Sequence, residues 1–452
     1  MASINAKAKT TFKEVTHGGV PAARMTTYQA LRRSVLSCLL WEDEAYESGI
    51  LIADRISELS QQVTVEQLSE LAIEAREVAK LRHVPLLLLV NLIKRGSGDS
   101  TVAATIARVI QRADELTELV ALYWKQNGGR KPLAAQLKKG LAAAFVKFDA
   151  YQLAKYNRDN EVKLRDVMFM VNPKPLNDAQ AEVFKKLADK TLESPDTWEV
   201  ALSAGGDKKA EFERLLRENK LGYLALLRNL RNMDQAGVDR SLVIAAIEAR
   251  KGADRVLPFR YTAAARAAPT FEPFLDNALL KAIQELTQLS GRTGILVDVS
   301  GSMDANLSAK SDLKRVDAAA TLAAIIPARD LDVMTFSNSV VHVPARKGMA
   351  GVDVILKSQY HGGTQLAQAV AYANSKGYDR LIVITDEQAT GGIGWNRQAR
   401  VPDPTAKHAY MINVASAKNG VGYGKWTHID GFSENVLRWI AEYEAMDLPG
   451  EG

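Results

Sequence analysis

Residues 295–304 read ILVDVSGSMD, a run of aliphatic side chains that passes straight into an acid, two serines and a glycine. A short, wholly apolar run bounded by turn residues predicts a strand buried on both faces. Downstream, further short aliphatic runs alternate with helical ones: VDAAATLAAIIPA, LDVMTFS, TQLAQAVAYANS, DRLIVITDE, HAYMINVA and SENVLRWIAEYEA. That alternation predicts a doubly wound α/β unit, a parallel sheet with helices on both faces, to which VVHVP adds an antiparallel edge strand. In such a fold, ligands bind beyond the carboxyl ends of the strands. There ILVDVSGS, VITDE and the loop HGGTQ deliver their polar residues.

Upstream the grammar differs. From about Thr26 to Leu280, apolar residues recur every three or four positions, as in LSELAIEAREVAKL, TVAATIARVIQRADELTELVALYW and AEFERLLRENKLGYLALLRNL. This is the period of amphipathic helices. Breakers at 96–98, 127–129, 173–175 and 204–206 divide them. Regular punctuation of a long helical region predicts stacked antiparallel helix pairs, a HEAT-like solenoid, although no clean sequence repeat is present. Two domains follow, a helical one over 1–270 and an α/β one over 271–452.

The 452 residues are 47% hydrophobic and 25% charged, enough for more than one globular core. The longest apolar run, HVPLLLLVNLI, is too short to span a bilayer and ends at Lys94 and Arg95. The N-terminus MASINAKAKTTFKEV lacks a secretory apolar centre, and the single cysteine, Cys38, forms no internal disulfide. A reducing, cytoplasmic location is expected, with Cys38 packed in the apolar stretch SVLSCLLW. A net charge of +5 does not by itself identify a nucleic-acid binder, so the distribution of charge has to decide.

Residues two apart in an extended segment face the same way, so Asp298, Ser300 and Ser302 can offer three oxygens to one point. Gly301 lets the backbone turn tightly there. Thr364 in HGGTQ and Asp386 in VITDE bring two more oxygens to the same end of the sheet. An all-oxygen set suits a hard divalent cation, Mg²⁺ or Mn²⁺, rather than Zn²⁺. Against this, Ser and Asp are common at turns and helix caps, and Thr364 can simply cap the helix after it. Three loops with matching oxygens favour the metal. No G-x-x-x-x-G-K-[ST] phosphate loop and no G-x-S-x-G nucleophile elbow occurs, so catalysis is not expected.

The pattern D-x-S-x-S, followed by a Thr and an Asp from later loops, resembles the metal-ion-dependent adhesion site of von Willebrand factor A domains. The resemblance implies a metal site at Asp298, Ser300, Ser302, Thr364 and Asp386. In that family the hydroxyls usually contact the ion directly, the acids often act through water, and a partner's carboxylate completes the octahedron.

The helical half is densely basic from Lys125 to Lys174, with Tyr123, Trp124, Phe145, Phe148, Tyr151 and Tyr156 interleaved. A basic surface with stacking side chains is what single-stranded RNA binding uses. The bland alternative is a solvated charged face over an aromatic core stripe. The phrases KKGLAAAFVKFDAYQLAKYNRDNEVKLRDVMFMVNPKP, TWEVALSAGGDKKAEFERLL, YLALLRNLRNM and VLPFRYTAAAR resemble the TROVE module of Ro autoantigen family proteins, in which an A domain follows. LRRSVLSCLLWEDEAYESG resembles that family's opening more loosely.

The resemblance implies a HEAT-like ring closed by the A domain, acting without catalysis as a monomeric ribonucleoprotein scaffold of bacterial or phage type. Small non-coding Y RNAs would bind its outer basic surface, and single-stranded ends of misfolded RNA would enter a central hole. RNA quality control, with a 3′ exoribonuclease as a partner, is the implied role. The candidate outer residues are Lys138, Lys139, Lys155, Tyr156, Arg158, Lys163, Arg165 and Lys174. Leu164 and Asn172 stand where many animal members have histidines, so Arg165 and Lys174 point to phosphate contact more than base reading. Arg228 and Arg231, three apart on one helix face, can reach the hole or can equally be buried ion-pair residues. The competing function is a metal-dependent protein-interaction module without RNA.

Overall fold

The computed structural model describes residues 26–36, 48–157, 159–193, 207–256, 258–306, 313–389, 400–415, 421–422, 424–431, 436–437, 440–441 and 444. Cys38, Arg158, the breaker at 204–206 and most of SENVLRWIAEYEA lie outside them, as do parts of two phrases that carry the TROVE resemblance, TWEVALSAGGDKKAEFERLL and LRRSVLSCLLWEDEAYESG.

Helices run from Thr27 to Gln284, and their caps follow from the sequence. Asp99 accepts from the Thr101 N–H at 2.8 Å and starts the Ser100–Val109 helix. That helix buries Val102, Thr105, Ile106 and Val109, one stripe at three- and four-residue spacing. Thr64 and Gln67 form a reciprocal capping box at the start of Val65–Glu77. The run HVPLLLLVNLI is the His83–Arg95 helix, buried continuously from Val84 to Ile93 because helices pack around it on several sides. The breakers at 96–98, 127–129 and 173–175 fall just beyond the helix ends at Arg95, Gln126 and Val171.

Packing is that of a solenoid. Val65–Glu77 lies against Ser100–Val109, which lies against Ala135–Phe145, while Gly49–Ser60, His83–Arg95 and Ala113–Gln126 form the second layer. One hydrophobic core extends from Leu31 to Leu187. A second begins at Phe212 and runs without a break from the later helices into one face of the sheet, ending at Ile440. Residue 270, the expected boundary, falls in the 3-10 turn Pro269–Phe271, and Phe271 belongs to this shared core.

The sheet has β1 (Leu289–Asp298), β2 (Ala328–Phe336), β3 (Val340–Val343), β4 (Arg380–Thr385), β5 (His408–Asn413) and β6 (Thr427–Asp430) in the order β3-β2-β1-β4-β5-β6. Every pairing is parallel except that of β3, the antiparallel edge. Alternate side chains of β1 enter different cores. Ile295 and Val297 join the helices Arg315–Ala324 and Gly348–Leu356, whereas Leu296 joins Leu366–Asn374. The chain leaves β1 toward β2 and later returns on its other side as β4, so the β1/β4 boundary is the topological switch point.

The first described helix, Thr27–Leu36, packs against β6. Its Arg33 is fully buried and donates to Glu387 at 2.7 Å. At the other end of the helical string, Thr262 and Thr321 hydroxyls meet at 2.9 Å, and Asp276 accepts from the Met349 N–H at 2.8 Å. The helical string therefore begins and ends on the same α/β unit, which closes the ring. No helix among the described residues is long and apolar enough to cross a membrane.

Candidate metal centre and basic surfaces

Asp298 is the last residue of β1, and parallel pairing of Val297 with Ile384 sets it beside Thr385 at the end of β4. Its Oδ1 accepts from the Ser300 N–H at 2.9 Å and its Oδ2 from the Thr385 hydroxyl at 2.5 Å. These two bonds fix the carboxylate plane. The Ser300 and Ser302 hydroxyls lie 3.3 Å apart. The loop carrying Thr364 is tied to them through the Gly301 N–H, which donates to the Gly362 carbonyl at 2.9 Å. Ser337 holds the same loop from β2, accepting from Gly362 N–H at 2.7 Å while its carbonyl accepts from Gln365 N–H at 2.9 Å. The N-cap of Leu366–Asn374 is Gln365, one residue after Thr364.

Asp298, Ser300 and Asp386 are fully buried and Thr364 nearly so. Burial, then the neighbouring Asp386, push the Asp298 carboxyl up to about 7. Asp386 Oδ1 accepts from the Gln388 N–H at 3.1 Å, but its Oδ2 is buried with no hydrogen-bond partner among the described residues. A buried carboxylate oxygen without a donor is unfavourable unless a cation or its water shell supplies the missing interaction. Two adjacent acids with hydroxyls beside them fit a hard divalent cation on that ground. Among the described residues no three His, Cys, Asp or Glu side chains form a metal cluster, and this set brings two acids together with three hydroxyls.

Two neighbours escaped the sequence reading. Arg315 is buried, and Asp386 favours its charged form against the larger effect of burial. His361, three residues before Thr364, has Nδ1 3.0 Å from Asp304 Oδ2 and Nε2 3.3 Å from the Leu356 carbonyl. Both ring nitrogens are engaged, so the imidazole braces the loop. The H in HGGTQ was the available signal.

The basic candidates divide by surroundings. Lys138, Lys139, Lys163 and Lys174 are exposed. Lys163 pairs with Asp159. Arg165 donates to the Ala188 carbonyl at 2.6 Å and lies 5.1 Å over the Phe169 ring. Tyr156 packs against the helical core, with Arg112 at 4.8 Å and Lys155 at 5.9 Å over its ring. Of the interleaved aromatics, Phe145 and Phe148 are core residues, as the stripe alternative holds. The exposed rings are Tyr151 and Phe169, the latter 61% exposed and overlooked because MFMV reads as a buried helix.

Arg228 and Arg231 are exposed rather than buried in ion pairs. Together with Arg260 and Arg266 they line a cavity of about 280 Å³.

Comparison with known proteins finds two family models, one solved structure and two curated relatives. Residues 185–320 match the TROVE domain, and residues 292–396 match the Ro60 vWA domain. The outer basic candidates at 138–174 precede the matched TROVE segment. The crystal structure of the Deinococcus radiodurans RO (RSR) protein superposes with a TM-score of 0.62 at 18% identity, covering 93% of this chain and 100% of that one. Over 75 residues, 16% of this chain, the sequence is 36% identical to telomerase protein component 1 of Mus musculus and 35% identical to that of Rattus norvegicus. The chain spans only 3% of the length of these two curated relatives.

Proposed function

We propose, for a chain that joins a TROVE domain to a Ro60 von Willebrand factor A domain, that it is an RNA-binding ring protein acting as a ribonucleoprotein scaffold rather than as an enzyme. Residues 1–270 form the RNA-binding part and 271–452 the A domain. Small non-coding, Y-like RNA binds the outer surface, and single-stranded ends of misfolded RNA reach Arg228 and Arg231 in the central hole. The role is RNA quality control or processing in the cytoplasm, with a 3′ exoribonuclease as a partner class.

The observation that carries this reading is the outer basic run. Lys138, Lys139, Lys163 and Lys174 are exposed, and the rings of Tyr151 and Phe169 in the same run are exposed too, the latter with Arg165 over it. Cations supply salt-sensitive phosphate contacts and open rings accept stacked bases. Arg165, engaged by Ala188 and Phe169, presents a guanidinium already oriented. Lys155 lies 5.9 Å over the Tyr156 ring within the same basic run.

Asp298, Ser300, Ser302, Thr364 and Asp386 would hold Mg²⁺ or Mn²⁺ in the A domain. Bound there, the ion would offer a Lewis-acidic position to a partner's carboxylate. The protein's own part is to fix the oxygens, through the Thr385 and Ser300 bonds to Asp298 and the Gly301 to Gly362 tether.

The test is isolation of the protein from its native cells, with sequencing of bound RNA before and after a high-salt wash. Nuclease-sensitive RNA that salt removes is expected. An RNA-free preparation in mild salt would overturn the reading and leave the protein-interaction alternative, which predicts partner capture that Asp298→Ala abolishes. In purified protein, Lys174→Glu is expected to weaken RNA binding and lower the salt slope by about one.

A further inference from the structure

Strand β4 ends at Thr385, and the two residues after it serve different structures. Asp386 is an acid of the candidate metal centre. Glu387 anchors the seam where the Thr27–Leu36 helix meets the α/β unit. Its Oε1 accepts from Arg33 of that helix at 2.7 Å and pairs with His428 of β6, and its Oε2 accepts from the Val421 and Gly422 N–H groups at 2.6 Å. Thr385, Asp386 and Glu387 are all fully buried. Glu387 has φ +58°, in the left-handed region that a side-chain-bearing residue keeps only when its surroundings hold it there. Those surroundings are the partners of its carboxylate, and one of them, Arg33, comes from the far end of the helical string. From the same turn a run of hydrogen bonds enters the metal centre. The Glu387 N–H donates to the Thr385 hydroxyl at 3.0 Å, that hydroxyl donates to Asp298 Oδ2 at 2.5 Å, and Asp298 Oδ1 accepts from the Ser300 N–H at 2.9 Å. A threonine hydroxyl has a single proton, so the N–H of Glu387 on its acceptor side aims that proton at Asp298.

Opening the seam removes Arg33 and admits water to Glu387. The turn then loses a partner that holds its left-handed conformation, and with that conformation go the bond that orients Thr385 and the placement of Asp386, one residue away. Arg33 and Glu387 cancel as charges, so the seam exerts little net field on the site, and geometry decides the sign: a closed seam builds the site. We propose that Glu387 and Arg33 are positioning residues of the metal centre, and that ring closure and occupation of the site by a divalent cation favour one another. The inference rests on the metal assignment under Proposed function. Coupling of this kind is reciprocal, so the factor by which closure tightens cation binding is the factor by which the cation favours closure. The A domain would then act as a latch, set by the cation and by whatever completes its coordination, on a ring that opens to take in a strand.

The test uses the full-length chain and Mg²⁺ alone, with Mn²⁺ as the second ion, and reads the coupling from both ends. Calorimetry should show Arg33→Gln binding Mg²⁺ about tenfold more weakly than wild type, with Arg33→Lys between them because the charge returns without the planar fork. Circular dichroism identifies the variants that are folded. Hydrogen exchange of the wild-type protein needs no seam variant. Saturating Mg²⁺ should slow exchange in Thr27–Leu36 by about the same tenfold, leave Ser100–Val109 as it was, and have no such effect in Asp298→Ala. A purely structural Arg33 would leave the exchange of Thr27–Leu36 indifferent to Mg²⁺. Binding of Mg²⁺ that does not change that exchange, or a folded Arg33→Gln protein that binds Mg²⁺ as tightly as wild type, overturns the inference and leaves the metal assignment standing. Failure of the wild-type protein to bind either ion overturns both.

Discussion

At the residue scale, the seam that closes the ring rests on four charges. Arg33 donates to Glu387, His428 pairs with the same carboxylate and lies 3.5 Å from Asp430, and Glu387 also accepts from the Val421 and Gly422 N–H groups at 2.6 Å. Burial lowers the His428 pKa, but Glu387 and Asp430 outweigh it and raise it to about 9. A histidine raised in this way stabilises the fold fully below its ordinary pKa, and the contribution disappears as pH rises through the folded value. The window therefore runs from about 6.5 to about 9, and the effect is at most about 3 kcal/mol. Thermal unfolding should show wild-type stability falling across that window, with a flatter profile for His428→Gln. Parallel profiles for the two proteins would contradict the assignment. The metal site makes an opposite kind of prediction. Asp298 is raised to about 7 by burial and by Asp386, so as a carboxylate it works against the fold above that pH when no cation is bound. Asp298→Asn keeps an acceptor for the Ser300 N–H and turns an amide toward the Thr385 hydroxyl. It should raise the metal-free melting temperature at pH 8 by about 2–4 °C and remove any stabilisation by added Mg²⁺. A variant that melts lower and still responds to Mg²⁺ would contradict the metal assignment.

At the scale of elements, close approach decides what the helices tolerate. Gly140 sits in the middle of Ala135–Phe145, where a Cβ would meet the Ile106 Cβ at 2.6 Å and the Ala103 carbonyl at 3.0 Å. Propensity alone makes Gly140→Ala favourable by about 1 kcal/mol. The clash should reverse the sign, with a net loss of about 1–3 kcal/mol. Hydrogen exchange should locate the loosening in Ser100–Val109 and Ala135–Phe145, and a more stable variant would show the helices able to separate. Legibility follows the same line. The long helices and strands β1 to β5 could be read because their side-chain periods are unbroken. The Gly348–Leu356 helix was not, since GMAG looks like a breaker. Its Gly351 is required because a Cβ there would strike the Arg346 carbonyl at 2.1 Å, a tertiary constraint that no local pattern carries. Strand β6, THID, is short and only half-buried, too brief to show alternation. At the site, Asp298, Ser300 and Ser302 were legible as one local motif, and Thr364 and Asp386 from their places at the same end of the predicted sheet, a set that the family pattern then matched. Arg315 was invisible because what matters about it is who faces it across the fold.

At the scale of the whole molecule, the ring has an asymmetric closure. On one side the helical string flows into the α/β unit through a continuous apolar core, from Phe212 through Leu275 and Ile283 to Ile295 and Val316. On the other side, the Thr27–Leu36 helix contributes Leu31 and Val35 to a separate helical core and meets the α/β unit through Arg33 and through Gly431, where a Cβ would strike the Leu36 carbonyl at 2.5 Å. Apolar burial is insensitive to a single charge, whereas a buried ion pair that loses one partner is destabilised by about 3–5 kcal/mol. The seam at Arg33 is therefore where the ring should open first. Arg33→Glu puts a third carboxylate against Glu387 and Asp430 while leaving both hydrophobic cores intact. Small-angle scattering should then give a larger radius of gyration, with unchanged helix content by circular dichroism and faster hydrogen exchange confined to Thr27–Leu36 and β6. Lys347→Glu, a surface charge change of the same sign at the N-cap of Gly348–Leu356, is the control that should leave the radius unchanged. If Arg33→Glu instead unfolds the A domain, or leaves the radius as it was, the closure does not depend on this ion pair and the apolar contacts near Leu36 hold the ring alone.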